Sequence, residues 1–190
     1  MIVETVVTTK EENKHIHMAA LGVKFDGDNV FLYPYKGTKT LANILKDKSG
    51  TINIVDKAEY LVKSALGNGS FKLNPAQKNN SYYLADCCHY YEFEMISFKK
   101  LDDKYEIKAK ITNDEFIREY LGFNRAANLL VEAAVTASRI GISAEIEDLL
   151  NFLEEYKRVI FKTGNKKDED TFYYLKNYAL DLGGKEIDNS

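Results

Sequence analysis

Cysteine is nearly absent. The 190 residues hold two, Cys87 and Cys88, and they are adjacent. Neighbours in sequence rarely reach disulfide geometry with each other, and no third cysteine is there to pair with either. They read as reduced thiols, which fits a cytoplasmic compartment, and C-C lacks the spacing of metal ligands. Long apolar runs are absent too. None approaches the ~20 residues that a membrane helix needs, so no membrane partner is expected. There is no surplus of positive charge: 26 Lys and Arg stand against 29 Asp and Glu, which gives nucleic acid no basic field to bind. Histidines number three, His15, His17 and His89. His15 and His17 share one face of an expected strand, but no third ligand accompanies them, so they read as surface or strand-packing residues. No Ser-His-Asp or Cys-His constellation is evident. The opening MIVETVVTTK reads as a strand with an acidic residue at position 4 and not as a signal peptide.

What is present suffices for a core. Hydrophobic residues make up 45%, and the length fits one domain or one domain with an appendage. Ile2 to Thr9 is rich in β-branched residues. A charged turn around Asn13 follows. Strand character resumes from His15 to Phe25, with His15, His17, Ala19, Leu21, Val23 and Phe25 on one face and Ile16, Met18, Ala20, Gly22 and Lys24 on the other. The small run Ala19-Ala20-Leu21-Gly22 either admits a ligand or packs tightly at a barrel corner. Asp26-Gly27-Asp28-Asn29 predicts a type I′ hairpin turn.

The chain is organised around Val30 to Asp56, VFLYPYKGTKTLANILKDKSGTINIVD. It reads as strand, turn, helix, strand. Pro34 ends the first strand, Gly37 allows the turn, and Thr38 is a good N-cap for a helix through Leu41, Ala42, Ile44 and Leu45. Free amides at the helix start, the Thr38 and Thr40 hydroxyls, and the flanking Lys36 and Lys39 are what a phosphate needs. Taken alone, the stretch reads as a capped helix with two solvated lysines, since the Walker A spacing is missing.

Asp56 with Glu59 predicts a capped short helix, stopped by Gly67-Asn68-Gly69. Phe71 to Asn80 reads as a loop, Tyr82 to Lys100 as a long tyrosine-rich strand, and Tyr105 to Thr112 as its alternating partner across a turn at Asp102-Asp103. The tyrosines Tyr82, Tyr83, Tyr90 and Tyr91 read as core and sheet-edge residues. From Asn113 the pattern becomes helical. Asp114 to Tyr120 predicts a turn or two, Arg125 to Ile140 a helix buried on every face, Ser143 the cap of a second helix, and Thr171 to Leu182 a third. The expected fold class is α+β, mainly β: an antiparallel split β-barrel with short helices, plus a C-terminal segment of about three helices. The expected divisions are a barrel at 1–113, helices packed on it at 114–184, and a disordered tail at 185–190.

The order of these parts resembles the FMN-binding split-barrel proteins, the flavin reductase-like superfamily. More closely, it looks like the uncharacterised, largely archaeal branch with a helical C-terminal extension. The segments that carry the resemblance are ETVVTT (4–9), AALGV (19–23), PYKGTKTLANI (34–44), TINIVD (51–56) and GFNRAANLLVEAAVTASRI (122–140). Ala20 departs from the pattern, since relatives often have proline there. The resemblance implies FMN as cofactor, a homodimer with FMN at its interface, and a possible NAD(P)H-dependent oxidoreductase acting by hydride transfer at the flavin N5. The alternatives are an FMN carrier or sensor without turnover and a ligand-free interaction protein. It further implies that Tyr35, Lys36, Gly37, Thr38, Lys39 and Thr40 surround the phosphate, that Asn43 bonds the phosphate or the ribityl oxygens, and that Ala19, Ala20, Leu21 and Gly22 line the isoalloxazine ring. Asn53 would bond the ribityl chain or ring, while Asn124 and Arg125 approach the phosphate or the flavin N1/C2 edge, with Lys162 a weaker candidate. No protein catalytic residue and no metal is expected.

Overall fold

The structure, a computed structural model, describes residues 1–12, 14–67 and 69–188. The turn expected around Asn13 and the helix stop at Asn68 fall at residues outside this set. In chain order the elements are β1 (Ile2–Lys10), β2 (Ile16–Asp26), β3 (Asn29–Leu32), α1 (Lys39–Asp47), β4 (Ser49–Ile54), α2 (Ala58–Ala65), β5 (Leu73–Pro75), β6 (Tyr82–Leu84), β7 (His89–Lys100), β8 (Tyr105–Phe116), α3 (Arg125–Ala137), α4 (Ile146–Thr163) and α5 (Lys166–Asp188). Two compact units result. One comprises Met1–Val55 and Gly69–Tyr120, the other Asp56–Asn68 and Leu121–Ser190.

The first unit is a closed antiparallel barrel in the order β1-β2-β3-β8-β7-β4, as the alternating strands imply. Its interior is filled by Val7, Val23, Val30, Leu32, Ile52, Phe93, Ile107 and Ala109. Each large aliphatic buried in this way contributes about 1.5–3 kcal/mol. One end is closed by α1, whose Leu41 and Ile44 join that core. Outside β1 and β4 lies the small β5-β6 hairpin, which is not the loop expected over Phe71 to Asn80. Asn53 fixes it: its Nδ2 donates to the Val6 carbonyl and its Oδ1 accepts from the Leu84 amide, both at 2.8 Å.

Further differences have physical reasons. The 26–29 turn has its positive φ at Gly27 and none at Asp28, so it follows the Gly-X order of a type II′ loop. The strand expected over Tyr82 to Lys100 is broken between Leu84 and His89, and β8 runs on to Phe116 where a helical turn was expected. Asp114 and Glu115 pair there with Tyr91 and Tyr90, so strand pairing overrides their weak local preference. The N-cap of α2 is Lys57 with no side-chain bond, not a box built on Asp56.

The second unit gathers α2, α3, α4 and α5 around Val62, Ala126, Leu130, Ala133, Leu149, Leu153, Ile160, Phe172, Leu175 and Ala179. The stripes expected on α4 and α5 supply Leu149, Leu153, Ile160, Phe172, Leu175 and Ala179. α3 buries one face only, through Ala126, Leu130, Ala133, Ala134 and Ala137, and ends at Ala137 instead of Ile140. The next helix is capped by Glu145, which shares a capping box with Asp148, and not by Ser143. The last helix is longer than expected, and the tail foreseen from residue 185 is helical as far as Asp188. Residues 189 and 190 lie outside the described residues.

Candidate functional site: an open strand edge beside a helix start

The site is created by a mismatch of strand lengths. Eleven-residue β2 pairs with β1 along Ile16 to Lys24, but with four-residue β3 only from Val23 to Asp26. On the side away from β1, the backbone of His17 to Gly22 has no strand partner among the described residues. Beyond the pair Val23 and Leu32 the β2-β3 ladder stops. The chain turns away to the β7-β8 ribbon instead. The Tyr105 amide donates to the Pro34 carbonyl at 2.9 Å and the Lys36 amide to the Asp103 carbonyl at 3.0 Å.

Gly37 then reverses the backbone at φ 78°, and a Cβ built there would meet nothing within 4 Å. Thr38 caps α1 as expected. Its Oγ1 accepts from the Leu41 amide at 3.4 Å and donates to the Tyr35 carbonyl at 2.8 Å. The amides of Lys39 and Thr40 lie in the first turn, where no helical carbonyl is available, and no acceptor faces them among the described residues. Lys36 Nζ donates to the Asp102 carbonyl, and Lys39 Nζ pairs with Glu11 Oε1 at 3.0 Å. That pairing lowers the Glu11 pKa. Both lysines are exposed, and exposed contacts of this kind exchange at little cost.

The open edge and the helix start are joined by one contact. His17 Nε2 lies 3.1 Å from Thr40 Oγ1, linking β2 to the first turn of α1. Burial holds the His17 pKa below its usual value. Below it, Asn43 Nδ2 donates to Thr9 Oγ1 at 3.0 Å. Thr9, Thr40 and Asn43 are all buried.

The expected residues therefore divide into groups. Tyr35, Lys36, Gly37, Thr38, Lys39 and Thr40 form the turn and helix start, which meets β2 through the His17–Thr40 contact, two residues before the edge of Ala19, Ala20, Leu21 and Gly22. Within that edge Leu21 packs against the barrel core, and its face also carries Ala19 and His17. Ala20 and Gly22 face outward. The space beside Gly22 is filled, because a Cβ there would lie 2.7 Å from Ile2 Cγ2. The hydroxyl of Thr40 and the amides of Asn43 and Asn53 have internal partners, so these three side chains brace the site. The donors left for an anion are first-turn amides and the two lysines.

Asn124 and Arg125 belong to the helical unit. Asn124 caps α3, with Oδ1 accepting from the Ala127 amide and Nδ2 donating to the Thr163 carbonyl. Arg125 is exposed, so the need for a partner argued from a buried helix start does not apply. Lys162 lies exposed in the last turn of α4, before the Gly164 cap. Sequence reasoning missed Glu92. It is fully buried in β7 and accepts from the amides of Gln77, Lys78 and Asn79 and from Asn113 Nδ2. Nothing in its own strand signals this.

Two family models cover most of the chain. Residues 3–118 match the N-terminal domain of a family described as a protein of unknown function, DUF447, and residues 124–177 match the companion DUF447 model. The chain belongs to the DUF447 family. Its fold is similar to that of an FMN-bound DUF447 protein from Methanosarcina mazei, at 24% identity and a TM-score of 0.80, covering 93% of this chain and 94% of that one. It is also similar to an FMN-binding protein from Thermus thermophilus, at 12% identity and 0.53, covering 62% and 71%. A flavoredoxin from Methanosarcina acetivorans matches at 14% and 0.51, covering 64% and 72%. The fold is the split barrel of the flavin reductase-like proteins. No helix among the described residues is long and apolar enough to cross a membrane.

Proposed function

We propose that this chain is an FMN-binding flavoprotein, cytoplasmic and homodimeric, with oxidoreductase activity fed by a reduced nicotinamide. The observation that supports it is the unpaired edge of β2 set against the start of α1, in a DUF447 fold whose Methanosarcina mazei member is FMN-bound. The first-turn amides of Lys39 and Thr40 suit a phosphate, and Lys36 and Lys39 add charge within reach. The amides and carbonyls of Ala20 and Gly22, which alternate with those of Ala19 and Leu21 turned to β1, offer hydrogen bonds to the rim of a planar ring, and the small side chain of Ala20 leaves room beside that edge. Thr38, Thr40, Asn43 and Asn53 hold strand, turn and helix in register. Bound flavin supplies hydride transfer at its own N5, so the protein needs only to bind, orient and shield it.

The barrel unit carries this reading. Asn124 and Arg125 enter it through the FNRA segment alone, and unchanged FMN affinity in Arg125→Ala returns that arginine to a structural role. The partner subunit in this reading covers the outer face, where Ile2 and Phe116 are exposed.

The test is the visible spectrum of freshly purified protein, with the ligand's mass measured after denaturation. A flavin spectrum and the mass of FMN are expected. A colourless protein that takes up no added FMN refutes the reading and favours a ligand-free interaction protein. Anaerobic mixing with NADH and with NADPH separates enzyme from carrier, since only an oxidoreductase is bleached at a catalytic rate.

A further inference from the structure

We propose that His17 makes flavin binding proton-linked: it takes up a proton when the phosphate of FMN settles on the first turn of α1. The inference rests on the flavin reading above and adds a regulatory property to that site.

The geometry carries it. His17 lies on the open edge of β2, two residues before Ala19, and its Nε2 touches Thr40 at 3.1 Å. The imidazole therefore lies against the turn whose amides would hold the anion. The charged and titratable groups around it are Glu11, Lys39 and His15. Glu11 favours the imidazolium, whereas Lys39 and His15 oppose it. Burial opposes it most, so the free site keeps the ring neutral near pH 7.

A bound phosphate acts on the charge balance around the ring in favour of the imidazolium, against the added burial. Its negative charge favours the imidazolium directly. It also competes with Glu11 for Lys39, drawing that positive charge into an ion pair. The protonated ring then donates Nε2–H to Thr40 Oγ1, a contact that a neutral ring makes in only one tautomer. By linkage, whatever raises the His17 pKa on binding must tighten binding on protonation. A rise of one unit corresponds to a tenfold gain in affinity between neutral and protonated forms.

The experiment compares FMN with riboflavin, which has no phosphate, in the wild type and in His17→Gln. Affinities are measured by flavin fluorescence quenching from pH 5.5 to 8.5, and proton uptake on mixing by an indicator dye in weak buffer. The second ionisation of the phosphate, near pH 6, is common to both proteins and drops out of the comparison. The wild type is expected to bind FMN several-fold more tightly at pH 6 than at pH 8, relative to His17→Gln, with the ratio nearing about tenfold only where the free site is already protonated. Its excess proton uptake should vanish with riboflavin. Thr40→Ser keeps the hydroxyl and should retain the linkage, which guards against loss through misfolding of the glutamine variant. Equal pH slopes and equal proton uptake in wild type and His17→Gln overturn the inference while leaving flavin binding intact. No FMN binding by the wild type at any pH overturns the flavin reading with it.

Discussion

Glu92→Gln is nearly isosteric and removes one acceptor. The carboxylate has two oxygens in use. Oε1 accepts from the Gln77 amide at 2.9 Å, the Lys78 amide at 3.2 Å and Asn113 Nδ2 at 3.1 Å, while Oε2 accepts from the Lys78 amide at 3.0 Å and the Asn79 amide at 2.6 Å. Glutamine can keep the first set. Its NH2 then faces two backbone donors with nothing to accept from them. Reversing the amide only moves the conflict to Gln77 and Asn113. Hydrogen bonds to a charged group contribute about 1.5–3 kcal/mol each, and the Asn79 bond plus half of the forked Lys78 bond are lost. Relaxation of the loop into water recovers part of that, so a loss of about 2–4 kcal/mol is expected for the barrel unit. Urea denaturation followed by a barrel tyrosine signal should show a lower midpoint at an unchanged slope. Native-state hydrogen exchange should show the amides of residues 77–79 losing protection selectively. An unmoved midpoint, or a lower midpoint with those three amides still protected, would refute the idea that this carboxylate holds the loop.

Three further perturbations test other parts of the structure. Gly164→Ala should cost the helical unit about 1–3 kcal/mol by thermal melting, because the new Cβ would lie 2.7 Å from the Ile160 carbonyl and 2.8 Å from Asp168 Cβ; an unchanged melt would mean that the junction yields freely. Thr38→Ala removes the α1 cap and should cost about 1 kcal/mol while weakening FMN binding several-fold, whereas Thr38→Ser should restore both. Burial pushes the Cys87 thiol up to about 12. It should resist a thiol reagent at pH 8 until denaturant is added. Because the unfolded chain ionises first, stability should fall as pH rises above about 9, by at most about 1.4 kcal/mol per unit for this group. Fast labelling of the folded protein would refute that.

Local chemistry was legible in the sequence and remote pairing was not. The strand before Pro34, the Gly37 turn, the Thr38 cap and the helix behind it all follow from residues within a few positions of each other, and the structure has them as expected. Stripes on α4 and α5 were equally readable, since a 3.6-residue period survives any tertiary context. Glu92 was not, because the three amides it binds come from a loop 13–15 positions earlier, and an isolated acid in a strand looks like a solvated one. The small residue Gly22 suggested an opening, yet Ile2 occupies that space from the neighbouring strand. The partners of Asn43 and Asn53, which looked like ligand contacts, are likewise supplied by β1 and, for the Asn53 oxygen, by β6. In each case the side chain was correctly read as special and its partner came from a register that no local pattern encodes.

The same distinction applies to the open edge of β2. The ladder between β2 and β3 begins at the Gly27 turn and runs through the pair Val23 and Leu32. Nothing about β2 stops it there, since its pairing with β1 continues for seven more residues to Ile16. The stop comes from the other strand. The Pro34 carbonyl faces β8 and accepts from Tyr105, so the N–H that proline lacks is also on the β8 side and not toward β2. The bridge between Tyr35 and Lys104 and the Lys36 amide bond to Asp103 extend this bonding by two residues. By the time Gly37 turns the chain back, it has been drawn aside from β2, and α1 starts across a gap instead of against a ladder. Pro34 and Lys36 thus bond toward the β7-β8 ribbon and away from β2, and that hand-over leaves open the edge that the flavin reading requires.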